Sequence, residues 1–346
     1  MFKIFDKKHR SRTLSYLIVL VLYIVIEVLL KTKNISYLLQ NLLVPTCCYI
    51  VAALALNLVV GFSGNLSLGQ AGFMSAGAFS AAIINAYLGT FIDNGIVVLI
   101  LSTIFAGIIA GIFGVIVGVP VLKLEGDYLA IVTLAFCQII KSVFNNLYVA
   151  VDGGLKFSFV DNNIELSEAG KMIVKGATGA AISSKLSSFT AGVVLIFISL
   201  FVIYNILHSK HGRAILATRD NSIAATSIGI NTTKYKLLVF IVSAILCGMA
   251  GSVYALNYAN ITAAKFDYNT SILILVYVVL GGLGNLNGTI VSTIVLLLLP
   301  ELLRSLNDYR MLIYSVVLIA IMLIKNNKMI SSEIEKIIGK IKKWVY

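Results

Sequence analysis

The sequence predicts an all-α polytopic membrane protein of about ten transmembrane helices, some short or broken, with both termini cytoplasmic. Three observations predict it. Of 346 residues, 59% are hydrophobic and only 12% charged, with a mean hydropathy of +0.97, whereas a soluble domain carries about 25% charged residues. Ten apolar windows follow one another along the chain, and about 20 residues suffice for each crossing. The 27 Lys and Arg residues are spread unevenly between the linkers. A water-soluble protein is excluded, and no room remains for a second sizeable soluble domain.

The windows fall at 14–30, 36–60, 66–88, 95–119, 128–150, 188–207, 235–257, 266–283, 288–304 and 311–325, so that residues 14–325 form one transmembrane domain. Residues 1–13 are basic, and the apolar run behind them lacks a small-residue cleavage site, which predicts a retained first span. Alternating the spans from a cytoplasmic N-terminus puts 17 of the 27 cations inside, nine outside and Lys141 within a span. That is the bias expected of cytoplasmic linkers. The net charge of +12 therefore reads as a topology signal for a lipid bilayer, with no nucleic-acid partner implied. Residues 151–187 become an extracytoplasmic loop and residues 208–234 a cytoplasmic one. The tail at 326–346 spaces Ile334, Ile337, Ile338, Ile341 and Val345 at helical intervals among lysines beside Trp344, which suits the surface of an anionic leaflet.

Two spans carry interruptions. The third is rich in small residues (Ser67, Gly69, Gly72, Ser75, Gly77), and the eighth and ninth are separated only by residues 281–288. Either the helices break there, which membrane depth tolerates only where protein or a water-filled cavity satisfies the backbone, or the small residues allow close helix packing. Gly61-Phe62-Ser63-Gly64-Asn65-Leu66 and Gly281-Gly282-Leu283-Gly284-Asn285-Leu286 share the pattern G-x-x-G-N-L. Both follow an apolar run toward the same face, so the repeat is parallel, and matched interruptions in two halves of a transporter point to a substrate route. Asn65, Ser67, Gly69 and Gln70 in the first interruption and Asn285 and Asn287 in the second are the candidate pathway residues.

Several chemistries are missing from the sequence. No G-x-x-x-x-G-K-[ST] phosphate loop occurs, so any ATP hydrolysis belongs to another chain. His9, His208 and His211 lie in basic stretches with no metal-binding spacing, and Cys47, Cys48, Cys137 and Cys247 lie in apolar runs without a C-x-x-C. The reading is of no catalytic residue, no metal and no cofactor in this chain. Glu27, Lys141 and Glu301 are the candidate intramembrane charges, too few for the carboxylate relay of a proton-driven carrier. A stand-alone secondary carrier or channel is the competing class.

The stretch Gly64-Asn65-Leu66-Ser67-Leu68-Gly69-Gln70-Ala71-Gly72-Phe73 resembles the signature of branched-chain amino acid ABC importer permeases. Three further blocks agree in order. Leu124-Glu125-Gly126-Asp127-Tyr128-Leu129-Ala130 through Phe136 is similar to the LivM-type subunit rather than its LivH-type partner. Gly212-Arg213-Ala214, Arg219-Asp220-Asn221, Ala224-Ala225 and Gly229-Ile230-Asn231 resemble the family's cytoplasmic segment. Gly281-Gly282 with Gly284, Gly288 and Leu299-Pro300-Glu301 resemble its ending. Ser222 stands where the family carries an acidic residue, and Thr289 where it often has proline.

The resemblance implies a permease subunit in a prokaryotic plasma membrane that pairs with a LivH-like subunit. Two cytoplasmic ABC ATPase subunits drive the pair, and an extracytoplasmic binding protein feeds it. Branched-chain amino acids are the implied substrate, with other amino acids, urea, nucleosides or sugars served by related permeases. It further implies that Gly212, Arg213, Arg219, Asp220, Asn221, Ala224, Ala225 and Gly229 couple to the ATPase. Ala224, Ala225 and Gly229 would form a smooth docking patch, with the charged residues at its rim. Without the resemblance, the same segment reads as a basic loop that sets topology.

Overall fold

A computed structural model describes residues 2–32, 37–122, 124, 126–151, 154–159, 171–182, 184–303 and scattered positions between 309 and 319. Among the described residues, eight helical segments are long and apolar enough to cross a membrane. These are α1 (Phe2–Lys31), α2 (Tyr37–Asn57), α3 (Gln70–Leu88), α4 (Gly95–Val121), α5 (Asp127–Asn145), α6 (Phe189–His208), α9 (Thr232–Ala255) and α10 (Tyr268–Gly281). The last of these reaches spanning length as Ala263–Gly281, with a 3-10 turn ahead of α10; α11 (Leu286–Leu302) follows it, while α7 (Lys210–Asp220) and α8 (Ser222–Ser227) lie between α6 and α9. The chain is thus an all-α polytopic membrane protein, and the tenth window and the basic tail fall largely outside the described residues.

Three boundaries differ from those expected. α1 begins at Phe2 and runs through the basic segment without a break at residue 13. The third helix starts at Gln70 rather than 66, because residues 63–69 are not helical; the interruption there is a break in the helix. The fifth helix stops at Asn145, and the next apolar residues form a strand.

Close packing through small residues also occurs, chiefly between α3, α4 and α9. Gly107, Gly111, Gly114 and Gly118 recur on one face of α4, and Cβ atoms there would lie 2.7–2.9 Å from Met249, Ile245, Ala244 and Leu237 of α9. A neighbouring side of the helix presents Ile104, Ile108 and Ile112, all about half exposed, as lipid-facing residues are. Gly77 and Gly251 let α3 and α9 touch backbone to backbone. Where the lipid is as apolar as the side chains, such close approach replaces hydrophobic burial as the source of helix association. α2 is almost wholly buried at the centre, and α1 lies at the periphery. All four cysteines are buried and free.

The sequence reading missed a small antiparallel sheet. Its strand order is β2-β1-β3-β4-β5, with β1 (Tyr148–Val151), β2 (Leu155–Ser158), β3 (Lys171–Lys175) and β4 (Ala180–Ala181) from one linker and β5 (Asn260–Ile261) from another. Tyr148 pairs with Ser158 on one side and with Lys175 on the other, and Ala180 pairs with Ile261. Val149, Val174, Ala180 and Ile261 are fully buried beneath it. The two linkers that form this sheet are ones that alternation of spans assigns to a common side. At the other end, the same holds for the linkers around Gly61, Arg219 and Gly284.

Candidate functional site

The two copies of G-x-x-G-N-L meet at this second end. α2 finishes in a π-helical turn, Leu58–Phe62, a widened turn often found at functional positions. Gly61 closes it, and a Cβ there would run into the Asn57 amide and the Gly284 backbone nitrogen. Only glycine allows the two turns to touch. Gly64 (φ 74°) and Gly284 (φ 77°), the fourth residues of the two copies, both adopt the left-handed conformation, which glycine enters without the penalty other residues incur. The second copy is further tightened where Gly281 lies against Thr289, since a Cβ on Gly281 would fall 2.5 Å from the Thr289 Cα and N.

Asn57 joins the two. It is fully buried; its Oδ1 accepts the Gly284 N–H at 2.8 Å and its Nδ2 donates to Thr289 Oγ1 at 2.8 Å. Thr289 in turn donates to the Asn285 carbonyl at 3.0 Å. No motif flagged Asn57. It sits in an uninterrupted apolar run, and the only available signal was a lone amide inside a span.

The linker from Ser209 to Asn231 is built by side-chain caps. Ser209 caps α7 through Gly212, Asn221 caps α8 through Ala224, and Asn231 caps α9 through Lys234. Gly212 is required by packing, since a Cβ would strike the carbonyls of Ile206 and Leu207. Arg213 is exposed. Arg219 donates from Nη1 to the Gly61 carbonyl at 3.1 Å and from Nη2 to Asp220 at 2.9 Å, and its Cγ lies 2.8 Å from where a Gly64 Cβ would be. The linker is thereby fastened to the first motif copy.

The smooth patch expected of Ala224, Ala225 and Gly229 does not form as one surface. Ala225 faces inward at 2% exposure, whereas Ala224 and Gly229 are exposed. The large apolar side chains exposed there are instead Ile223 of α8 and Ile228, the residue just after it, 77% and 75% exposed. Two large apolar side chains five residues apart, one on a short helix and one past its end, gave no periodic signal in the sequence.

The six candidate pathway residues fall in three places. Asn65 bonds Ser63 beside the first turn. Ser67, Gly69 and Gln70 are buried in the interior, where the broken stretch is held by other helices. The Leu68 N–H donates to Thr133 of α5, the Ala71 N–H to Ser271 of α10, and Gln70 Nε2 to Ser243 of α9, which donates its own proton to the Ala55 carbonyl. Ser67 Oγ and Gln70 Oε1 are buried without a hydrogen-bond partner, and such groups are costly. Asn285 caps α11 through Gly288 and lines a cavity of about 160 Å³ with Phe62, Tyr204, His208 and Leu216. Asn287 accepts from Ser15 of α1.

A multi-helix membrane bundle with a broken third span, and a capped polar linker fastened to the end where two glycine turns meet, has the build of a permease. The comparisons agree: the family described as branched-chain amino acid transport system / permease component matches residues 38–324, and the chain belongs to that family.

Relatives include the high-affinity branched-chain amino acid transport system permease protein LivM of Salmonella typhimurium, 32% identical over 289 residues. The Escherichia coli protein of the same description is 33% identical over the same length. Each alignment covers 80% of this chain but 66% of the relative, so the chain spans just under two thirds of their length. The fructose import permease protein FruG of Bifidobacterium longum is 24% identical over 302 residues, covering 84% of this chain and 82% of its own. No solved structure matches.

Proposed function

We propose that the chain is the LivM-type permease subunit of an ATP-driven importer for branched-chain amino acids in a prokaryotic plasma membrane. It forms the pathway with a LivH-like subunit, is driven by two cytoplasmic ABC ATPase subunits and is supplied by an extracytoplasmic binding protein. The chain itself catalyses no reaction. The observation that carries this reading is the Ser209–Asn231 linker, whose Arg219 is bonded to the turn at the end of α2 while Ile223 of α8 and Ile228 just after it are exposed. Exposed apolar side chains on and just beyond a short capped helix suit contact with a groove of a partner. The arrangement supports placing this end in the cytoplasm and the five-stranded sheet outside, and both termini are proposed to be cytoplasmic from the distribution of basic residues.

Asn65, Ser67, Gly69, Gln70, Asn285 and Asn287 are the proposed pathway residues. The unpaired Ser67 hydroxyl and Gln70 carbonyl support this for the broken stretch, because a passing solute with amide-bonding groups would satisfy them. To test the function, the chain is co-expressed with the permease, ATPase and binding-protein genes of its host, the complex is purified, and ATP hydrolysis is measured with binding protein loaded with leucine. Stimulation by leucine-loaded protein is expected. A complex stimulated only by a fructose- or ribose-loaded protein would move the substrate to the sugars that some relatives carry, and a chain that purifies alone and moves solute without ATP would overturn the reading.

A further inference from the structure

We propose that Asn57 is the positioning residue that makes α2 and the α10–α11 hairpin move as one unit, so that motion of the Arg219 linker reaches both interruptions together. The proposal rests on the importer reading for its consequence in transport, but the linkage stands on geometry alone. Asp220 and the Gly61 carbonyl are both bonded to Arg219, Gly61 packs so closely on the Asn57 amide that a Cβ would not fit, and Asn57 bonds Thr289, which links three separate parts of the chain. Both amide atoms of Asn57 are used, and both of its bonds go to the far side of the junction, one to the Gly284 backbone and one to the first turn of α11.

The backbone contact between Gly61 and Gly284 makes the junction unforgiving. With no side chain between the turns, neither can slide without breaking the Asn57 bonds or colliding. The π turn placed directly after Asn57 supplies an element at the end of α2 able to change register by a residue, since returning from i→i+5 to i→i+4 bonding rotates everything beyond it. Arg219 holds the carbonyl of Gly61 inside that turn. A pull on Arg219 therefore acts on the π turn, and Asn57 carries the displacement to Gly284 and Thr289. Coupling between sites needs such a physically connected element.

Two measurements test this in the complete complex reconstituted in nanodiscs or proteoliposomes. The first is backbone hydrogen exchange of residues 282–290 in the wild type and in Arg219→Ala. Arg219 has no bond to Gly284, yet exchange of the Gly284 amide is expected to accelerate at least fivefold in Arg219→Ala; an unchanged rate would overturn the linkage. The second is solute imported per ATP hydrolysed. Thr289→Val removes the hydroxyl that Asn57 bonds and is expected to lower that ratio at least threefold, while Thr289→Ser, which restores the hydroxyl, keeps it within twofold of wild type. A Thr289→Val complex with a wild-type ratio, or a Thr289→Ser complex as poor as Thr289→Val, would refute the role. If the wild-type complex imports no solute with ATP, the importer reading fails while the exchange measurement still decides the linkage.

Discussion

The two copies of G-x-x-G-N-L begin alike and end differently. Both place their fourth residue in the left-handed conformation, at Gly64 and Gly284, and both need glycine at the first position, Gly61 and Gly281, for backbone contact. After Asn285 a helix starts at once, capped by that asparagine. After Asn65 the chain stays non-helical to Gly69, and α3 starts at Gln70 with no side-chain cap. The difference lies in the surroundings. Thr133 and Ser271 accept the Leu68 and Ala71 N–H groups and Ser243 accepts from the Gln70 side chain, so three other helices hold the broken stretch, whereas at the second copy Asn57 of α2 accepts the Gly284 N–H. An identical signature sets a turn; tertiary partners decide whether a helix or a broken segment follows.

Substitutions can break or sharpen that comparison. The largest effect is expected where the copies touch. Gly61→Val forces a side chain into the Asn57 amide and the Gly284 backbone, and overpacking against rigid atoms should destabilise by about 3 kcal/mol or more, seen as loss of a monodisperse species in detergent. Thr133→Val leaves the Leu68 N–H without its partner from α5 and should cost about 2 kcal/mol, read from thermal unfolding. Asn285→Ala removes a helix cap at a cost of about 1 kcal/mol. Asn65→Ala, which loses only a local bond to Ser63, should fall within about 0.5 kcal/mol of wild type, as ordinary surface substitutions do. Equal costs for the last two would mean that the copies are used alike.

Much of this was legible in the sequence because membrane physics leaves few choices. Spans announce themselves by length and hydropathy, and the glycine and asparagine punctuation marked both interruptions. Family blocks gave the linker from Gly212 to Asn231. What remained hidden depends on direction in space. Ala225 and Ala224 are adjacent letters, yet one is buried and the other exposed. Asn57 lies in an apolar run that gives no cue to the π turn after it, and its partners are more than 200 residues away. The five-stranded sheet is assembled from strands of two to five residues in two distant linkers, too short and too scattered for alternation to register.

The central claim is that the Arg219 linker transmits ATP-driven motion to the paired turns. It is tested most directly by loading proteoliposomes carrying the complete complex with ATP and measuring leucine taken up from the binding protein against phosphate released, in the wild type and in Arg219→Ala. The account predicts ATP-dependent uptake by the wild type and at least fivefold less leucine per phosphate in Arg219→Ala. An unchanged ratio in that variant would contradict it.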